Sequence, residues 1–318
     1  MPPVTETETL QSRFREVKAR IAAAATSAGR AADSMLLVAV SKYAGLDQIR
    51  ELVVLGQRDF GENQIQQMLQ RSAMIDEWIA RQKAIAPYAV NPSASLAVTG
   101  KLEIGCVRWH MIGQLQRNKA KKAIEVCRLI HSIKDLRMAE DLHELSVVRD
   151  GTVEILIQVN ASGEGTKSGC AMPAVPYLIE QIETMSSVRV RGLMTMAPHS
   201  ERPEDARPTF ARLREVFEDV RRDGVAGPHF NILSMGMSHD FEVAISEGSN
   251  LVRVGSSIFG DRPAGGAADD DTDAHTSAEG ESADTHYGGE TLADPRADLT
   301  DLAGGTFSPI IDGLPDPR

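Results

Sequence analysis

The sequence of 318 residues has few aromatic side chains, at 4% of the total, and only three cysteines. So few rings offer little surface for stacking the bases of single-stranded nucleic acid, which argues against a nucleic-acid partner. The widely spaced Cys106, Cys127 and Cys170 form no CxxC pair, which is typical of reduced packing thiols in a cytoplasmic protein. The scarcity of cysteine therefore predicts neither a disulfide framework nor a cysteine metal site.

Long apolar runs are also missing from the sequence. A bilayer span needs about 18 consecutive apolar residues, so we expect no association with a membrane. The amino terminus, MPPVTETETLQSRFREVKAR, lacks the basic segment followed by an apolar one that marks a secretory signal. These absences predict a cytoplasmic protein.

The formal net charge of −11 is confined to one end of the chain. Residues 261–318 hold 14 acidic and 3 basic residues, whereas residues 1–260 hold 31 of each. Gly, Ala, Asp, Thr and Pro dominate the acidic segment, which cannot bury enough apolar surface to offset its ordering entropy. We therefore predict a folded domain at 1–260 and a disordered acidic tail at 261–318. Because the folded domain is neutral overall, any anion site in it must be local.

Short apolar or β-branched runs alternate with helical segments along the folded domain. The predicted strands are 35–42, 57–63, 108–113, 127–133, 153–160, 188–194, 229–234 and 250–255. The clearest predicted helices are 7–28, 46–56, 65–82 and 203–223. Eight strands alternating with helices over about 250 residues predict a single α/β domain, a (β/α)8 TIM barrel. An open doubly wound sheet is the alternative, although no GxGxxG follows the first strand, and residues 84–100 are expected to form a long loop.

Polar groups follow the first two predicted strands, at the end of the barrel where active sites of this architecture lie. Lys42 ends the first strand and shares a face with Val38 and Val40, because strand side chains alternate. A partly desolvated amine at the barrel mouth favours the neutral nucleophile that forms a Schiff base. At the end of the second strand, Gly61 permits close approach to a ligand, and Glu62 and Asn63 supply polar groups. A surface lysine and a helix-capping asparagine are the simpler alternatives.

Glycine and serine are concentrated after the seventh and eighth predicted strands, where barrels of this type bind phosphate. The two segments are LSMGMSHD at 233–240 and VGSSIFG at 254–260. Backbone N–H groups and serine hydroxyls at the start of a helix form an anion site without lysine. Arg253 lies between Val252 and Val254, so it needs either a structural ion pair or a ligand acceptor at the barrel mouth.

An amine, a phosphate site and an arginine at one mouth match the aldehyde, the phosphate and the ring nitrogen of pyridoxal 5′-phosphate. A class I aldolase that uses Lys42 on a sugar phosphate is an alternative that these residues leave open. The histidines form no HExxH motif and no pair four residues apart on a helix, so we expect no metal centre.

Eight segments occur in an order that resembles the pyridoxal phosphate homeostasis proteins. They are AVSKY (39–43), FGENQIQ (60–66), WHMIGQLQRNKAK (109–121), IHSI (130–133), LIQVNASGEGTKSG (156–169), RGLMTMAP (191–198), LSMGMSHDFEVAISEGSN (233–250) and LVRVGSSIFG (251–260). The resemblance covers nearly all of residues 7–260. It implies a single barrel like the amino-terminal domain of alanine racemase, which is fold type III of the pyridoxal phosphate proteins. The sequence departs from the family pattern at Tyr43, Gln114, Arg117 and Asn250, none of which is an expected cofactor contact.

The resemblance also implies which residues contact the cofactor. These are Lys42, Asn63, Ser234, Ser238, Arg253, Gly255 and Ser256. Among them, Lys42 would carry pyridoxal 5′-phosphate as an aldimine. Ser238, Gly255 and Ser256 would hold the phosphate, and Arg253 would face the pyridine nitrogen.

We expect a cofactor carrier without catalytic residues rather than an enzyme. A charged arginine at the ring nitrogen weakens the ring as an electron sink. A racemase also needs a second acid–base group on the opposite face, and we find no second domain in the sequence to supply it. The resulting hypothesis is a monomer that binds and buffers pyridoxal 5′-phosphate and delivers it to apoenzymes. A weak racemase or decarboxylase that depends on Lys42 is the alternative.

Overall fold

The computed structural model describes residues 9–85, 106–164 and 168–260. The predicted tail at 261–318 lies outside the described residues, and so does the predicted loop from residue 86 to residue 100. Residues 84 and 85 belong to the third helix instead. The division of the chain at residue 260 therefore stays a prediction.

Eight parallel strands close into a barrel. The strands are β1 (Leu36–Val40), β2 (Asp59–Glu62), β3 (Arg108–Met111), β4 (Cys127–Ile133), β5 (Val153–Asn160), β7 (Val188–Met194), β8 (Ile232–Ser234) and β9 (Leu251–Val254), and a two-residue strand, β6 (Cys170–Ala171), pairs with the end of β5. Neighbours follow the order β1-β2-β3-β4-β5-β7-β8-β9, and β9 pairs with β1 to complete the circle. The predicted (β/α)8 barrel is confirmed, and the open sheet is wrong.

Helices cover the outside of the barrel. Within the described residues they are α1 (Leu10–Ser27), α2 (Leu46–Val54), α3 (Ile65–Ile85), α4 (Ala120–Val126), α5 (Leu136–Val148), α6 (Val175–Glu183), α7 (Arg207–Arg222), α8 (Phe241–Ser246) and α9 (Ser256–Phe259). Their buried apolar faces and the outward-facing strand residues form the main core. None of these helices combines the length and apolar character needed to cross a bilayer.

Helix α1 occupies the position of an outer helix beside β9 and β1. It begins at its cap, Thr9, whose side chain accepts a hydrogen bond from Ser12 N at 3.1 Å. Its apolar stripe, which includes Phe14 and Val17, is buried, and the helix packs against α8 and α9. Arg13 Nε donates to Ile258 O at 2.8 Å. Because α9 has only four residues, α1 supplies the surface that covers this side of the barrel.

The interior of the barrel has an apolar layer and, nearer the carboxyl ends of the strands, a polar layer. The apolar layer consists of Leu36, Val38, Leu129, Leu156, Met194, Ile232 and Leu251. Side chains two positions apart on a strand face the same side. The residues two positions after four of these apolar residues are polar and buried, and they are His131, Gln158, Ser234 and Arg253. A polar floor therefore lies directly beneath the mouth of the barrel.

Gly192 allows β7 to lie close against β8. Its φ is +153°, and a Cβ at this position would lie 1.8 Å from Ile232 O. Since backbone cannot move away as a flexible side chain can, no larger residue fits here without displacing β8.

We expect Gly192→Ala to lower the free energy of unfolding by more than about 3 kcal/mol, because it combines backbone strain with a clash between neighbouring strands. Urea unfolding followed by circular dichroism measures this change. The matched control is Gly151→Ala, where the added Cβ meets nothing within 4 Å, and its effect should stay within about 0.5 kcal/mol. Equal effects of the two substitutions would contradict the packing described for Gly192.

Candidate functional site

Lys42 lies in the turn that follows β1, at the carboxyl end of the barrel. The prediction that strand 35–42 includes Lys42 is wrong, since the strand ends at Val40. Leu36 and Val38 do face the interior, as the alternation predicted. The Lys42 side chain is half-buried, and its Nζ lies 5.1 Å from the centroid of the Tyr43 ring. The amine is therefore at the rim of the barrel rather than on the strand.

An arginine from α3 holds the turn that carries Lys42. Arg71 Nη1 donates to Ser41 O, and its Nη2 donates to Ala44 O at 2.9 Å. Arg71 also forms an ion pair with the fully buried carboxylate of Glu62, which accepts a hydrogen bond from Ser41 Oγ at 2.6 Å. The backbone on both sides of Lys42 is fixed by these contacts.

The Glu62 carboxylate is held in an unfavourable environment. Burial raises the pKa of this carboxyl above its ordinary value, although Arg71 and Ser41 oppose the shift. Its second oxygen, Oε2, is buried and has no hydrogen-bond partner in the described part of the chain. A buried acceptor without a hydrogen-bond partner destabilises a native structure. The position of this oxygen beside the Lys42 turn therefore indicates a functional role for this part of the rim.

Asn63 lies next to the Lys42 turn because β1 and β2 are paired. Val40 is in register with Gly61, and Ser41 N donates to Gly61 O at 3.0 Å. On the other side, a Cβ at Gly113 would lie 2.3 Å from Asn63 O. Only glycine permits this approach, so the loop after β3 supports the backbone of Asn63 directly.

The turn after β9 lies on the opposite side of β1. Ala39 is in register with Val254, and a Cβ at Gly255 would lie 3.2 Å from Val40 O. The glycine therefore packs against the residue that ends β1. This pairing brings the turn after β9 beside the turn that carries Lys42.

Ser238 and the turn after β9 form one hydrogen-bonded cluster. Gly255 N and Ser257 N donate to Ser238 Oγ at 3.1 and 3.4 Å, and Ser257 Oγ donates to Ser238 O at 3.3 Å. Ser256, which was predicted to share this site, is exposed and begins α9. Ser257 is not among the predicted site residues, although it is the second serine of the SS dipeptide at 256–257.

Arg253 is buried in the polar layer, with 4% of its surface exposed. Its Nη1 donates to Ser234 Oγ at 2.6 Å and its Nη2 donates to Thr195 O at 2.9 Å. Burial lowers the pKa of the guanidinium to about 10, and the nearby Asp240 carboxylate opposes this shift, so the group is charged at neutral pH. Within residues 9–85, 106–164 and 168–260 no carboxylate forms an ion pair with it, and its two hydrogen-bond partners are Ser234 and Thr195.

Ser234 lies on the Arg253 guanidinium rather than in the serine–glycine cluster of the rim. Its other neighbour is His131, whose Nδ1 lies 3.3 Å from Ser234 Oγ. Burial, together with His110 and Arg253, lowers the pKa of His131 well below its ordinary value, so this ring is neutral. His131 is not among the predicted site residues, although strand alternation places it on the same inward face as Leu129.

The described residues contain no group of three His, Cys, Asp or Glu side chains placed to hold a metal ion. What the structure does bring together is a primary amine, a cluster of backbone N–H and hydroxyl groups, and a buried guanidinium. These groups lie on β1, β8 and β9 and on the turns that follow them. The set suits a ligand with an electrophilic carbon, an anionic group and a hydrogen-bond acceptor.

Comparisons with known proteins identify the family of the chain. The chain matches the family described as alanine racemase, N-terminal domain, over residues 15–263. It is 36% identical over 251 residues to the pyridoxal phosphate homeostasis protein of Aquifex aeolicus, which covers 79% of this chain and 97% of that protein. The protein of the same name from Pseudomonas aeruginosa is 34% identical over 260 residues, with 82% and 99% covered. The structure of PipY from Synechococcus elongatus with PLP bound has a TM-score of 0.60 and 25% identity, and covers 79% of this chain and 100% of that chain.

Arg71→Ala should lower the free energy of unfolding by about 3–5 kcal/mol, because it leaves the buried Glu62 carboxylate without its cation. It should also speed amide hydrogen exchange at residue 44, whose N–H donates to Ser41 O. Arg50→Ala is the control, since its partner Asp47 is exposed and the pair contributes less than about 1 kcal/mol. Unchanged exchange at residue 44 would show that Arg71 does not hold the turn.

Proposed function

Because the chain belongs to the alanine racemase N-terminal domain family, and within it to the pyridoxal phosphate homeostasis proteins, we propose that it binds pyridoxal 5′-phosphate and serves in the homeostasis of this cofactor. The observation that carries the proposal is the convergence of Lys42, the Ser238 cluster and Arg253 at one barrel mouth. The donor set matches the three reactive or polar parts of the cofactor, so the residues present fit the group.

Lys42 is the residue that binds the cofactor covalently. When bound, pyridoxal 5′-phosphate supplies an aldehyde that condenses with a primary amine. Lys42 would supply the primary amine that holds the cofactor at the rim of the barrel. Arg71 and Glu62 hold the Lys42 turn in place. Asn63 follows β2 and lies beside this turn.

The turns after β8 and β9 hold the phosphate through Ser238, Gly255 and Ser256. The N–H groups of Gly255 and Ser257 already converge on one oxygen, Ser238 Oγ. Hydroxyl and backbone N–H donors in such a turn bind an anion without a lysine. Gly255 packs against Val40, so the phosphate site and Lys42 are supported by the same strand.

Arg253 would face the ring nitrogen of the bound cofactor, and Ser234 Oγ accepts a hydrogen bond from its Nη1. A guanidinium has five N–H groups, and Arg253 uses two of them on Ser234 and Thr195. The remaining N–H groups would be available to the ligand. Because arginine stays charged, it disfavours a proton on the ring nitrogen and so weakens the electron withdrawal on which amino-acid chemistry depends.

The same residue supports a carrier rather than an enzyme. The protein holds pyridoxal 5′-phosphate reversibly through Lys42, buffers its free concentration and hands it to apoenzymes. It works as a monomer in the cytoplasm, where its three cysteines stay reduced. Light scattering on the purified protein measures the oligomeric state.

Lys42→Ala should abolish the covalent bond to the cofactor. Wild-type protein incubated with pyridoxal 5′-phosphate and then reduced with borohydride should show a stable adduct on the peptide that contains Lys42, by mass spectrometry. The variant should show neither this adduct nor the visible absorbance of the unreduced complex. Lys121→Ala, an exposed lysine on α4, is the control and should behave as wild type. An adduct on another lysine, or full absorbance in Lys42→Ala, would refute the assignment.

The loaded protein should not exchange the α-proton of amino acids with solvent deuterium above the background of Lys42→Ala. The physical reason is the weak electron withdrawal of a ring that faces Arg253. Proton NMR of L-alanine in deuterium oxide measures the exchange. Exchange that depends on Lys42, together with racemisation or loss of carbon dioxide, would favour the racemase or decarboxylase alternative.

A further inference from the structure

A line of buried polar side chains leads from Arg253 into the barrel. Ser234 Oγ accepts from Arg253 Nη1 at 2.6 Å and lies 3.3 Å from His131 Nδ1. His131 Nε2 is 3.0 Å from His110 Nδ1, and His110 Nε2 is 3.0 Å from Asp59 Oδ1. We call these five residues the polar relay.

The polar relay crosses the interior rather than following the sheet. Its members belong to β9, β8, β4, β3 and β2 in that order, and β8 and β4 are not neighbours in the sheet. Ser234, His131 and His110 are fully buried, and Asp59 is 3% exposed. Buried polar side chains destabilise a core unless every hydrogen bond is made, so a relay of this length needs one consistent arrangement of protons.

The two ends of the relay determine that arrangement. Asp59 forms an ion pair with Arg108. Although burial opposes ionisation, the hydrogen bonds from Arg108 and His110 hold the pKa of the Asp59 carboxyl below its ordinary value. An ionised carboxylate only accepts, so His110 Nε2 carries a hydrogen. At the other end Arg253 only donates to Ser234 Oγ, and the second described partner of this hydroxyl is the neutral ring of His131, so we assign the hydroxyl hydrogen to His131 Nδ1.

Every hydrogen bond in the relay then points from Arg253 towards Asp59. Because the His131 ring accepts at Nδ1, its hydrogen is on Nε2. This Nε2 donates to His110 Nδ1, which is therefore an acceptor. In this arrangement each ring donates through Nε2 and accepts at Nδ1. Reversing the bonds between Ser234 and His110 would require a second proton on His110, since its Nε2 must still donate to the carboxylate.

The charged groups around the relay favour this direction. Asp240 lies near Arg253 but forms no ion pair with it. Asp59 forms an ion pair with Arg108 and lies near Arg58. The aligned bonds place their negative ends towards the guanidinium and their positive ends towards the carboxylate. The aligned hydrogen bonds therefore stabilise the positive charge of Arg253 beneath the barrel mouth. No carboxylate of the described residues forms an ion pair with this guanidinium.

We propose that His131, His110 and Asp59 are positioning residues, which fix the Ser234 hydroxyl and thereby direct the Arg253 guanidinium towards the ring nitrogen of bound pyridoxal 5′-phosphate. The proposal rests on the proposed function for the identity of the ligand. The three residues touch neither the rim nor the ligand. They act through Ser234, because their hydrogen bonds fix its hydroxyl hydrogen in one orientation, towards His131 Nδ1.

The first test uses the native full chain without cofactor. Nitrogen-15 NMR of the histidine rings should show His110 and His131 with the hydrogen on Nε2 and none on Nδ1. The exposed His199 and His239 rings provide the comparison within the same spectrum. A hydrogen on Nδ1 of either buried ring, or a doubly protonated His110, would overturn the relay.

The second test measures binding of pyridoxal 5′-phosphate to His131→Leu, which removes the link and keeps an apolar side chain of similar bulk. We expect Kd to rise about fivefold or more, as for the loss of one hydrogen bond to a charged group. The pH midpoint of the bound cofactor's absorbance should also shift, which a general loss of stability would not produce. Ser132→Ala is the control, because its buried hydroxyl lies outside the relay and has no partner in the described residues.

These outcomes separate the relay from the proposed function. If Lys42→Ala binds the cofactor as wild type does, the proposed function fails whatever the relay does. If Lys42 is required but His131→Leu has the Kd and pH midpoint of Ser132→Ala, only the relay proposal fails. Should His131→Leu not fold, the NMR measurement on the native chain still decides the question.

Discussion

The pairing of β1 with β2 on one side and β9 on the other is the constraint on which the candidate site depends. Each pairing is parallel, so the three strands end at the same rim. Residues far apart in the sequence, such as Val40 and Gly255, become neighbours through the pairing of β1 with β9. The site is rigid because it is built on the closure of the barrel itself.

The interior of the barrel shows how a ligand site is supported from below. An apolar layer packs the amino-terminal half of several strands, and the next inward-facing residues are polar. Replacing buried charged groups by apolar side chains of similar volume is often neutral or stabilising. A buried Arg253, Ser234 and His131 therefore favour function over stability, and their hydrogen bonds explain how the barrel tolerates them.

Much of the fold follows from local patterns in the sequence. Strands β4, β5 and β7 have the predicted bounds, because their apolar runs end at turns. The other five strands, β1, β2, β3, β8 and β9, are shorter than predicted, and at β1 and β8 an arginine side chain binds a carbonyl beside the end of the strand. Arg71 takes the carbonyl of Ser41 after β1, and Arg191 takes the carbonyl of His229 before β8. Neither contact leaves a mark in the local sequence, since each arginine is remote along the chain.

The candidate site shows the same division. The predicted residues Lys42, Ser238 and Gly255 lie at one rim because strand order determines where strand ends meet. His131 was not predicted as part of the site because the sequence shows its face but not its partner. Its contact with Ser234 crosses the interior between strands that are not neighbours. Pairings of this kind follow from the diameter of the closed barrel, which no single strand encodes.

Helix α1 gives the barrel a circular order of elements. It precedes β1 in the sequence, yet it packs against α8 and α9, and Arg13 binds the carbonyl of Ile258. The start and the finish of the described barrel thus meet on its outside. A chain cut in a loop elsewhere and rejoined between these two points would keep every strand neighbour, so the architecture is suited to circular permutation.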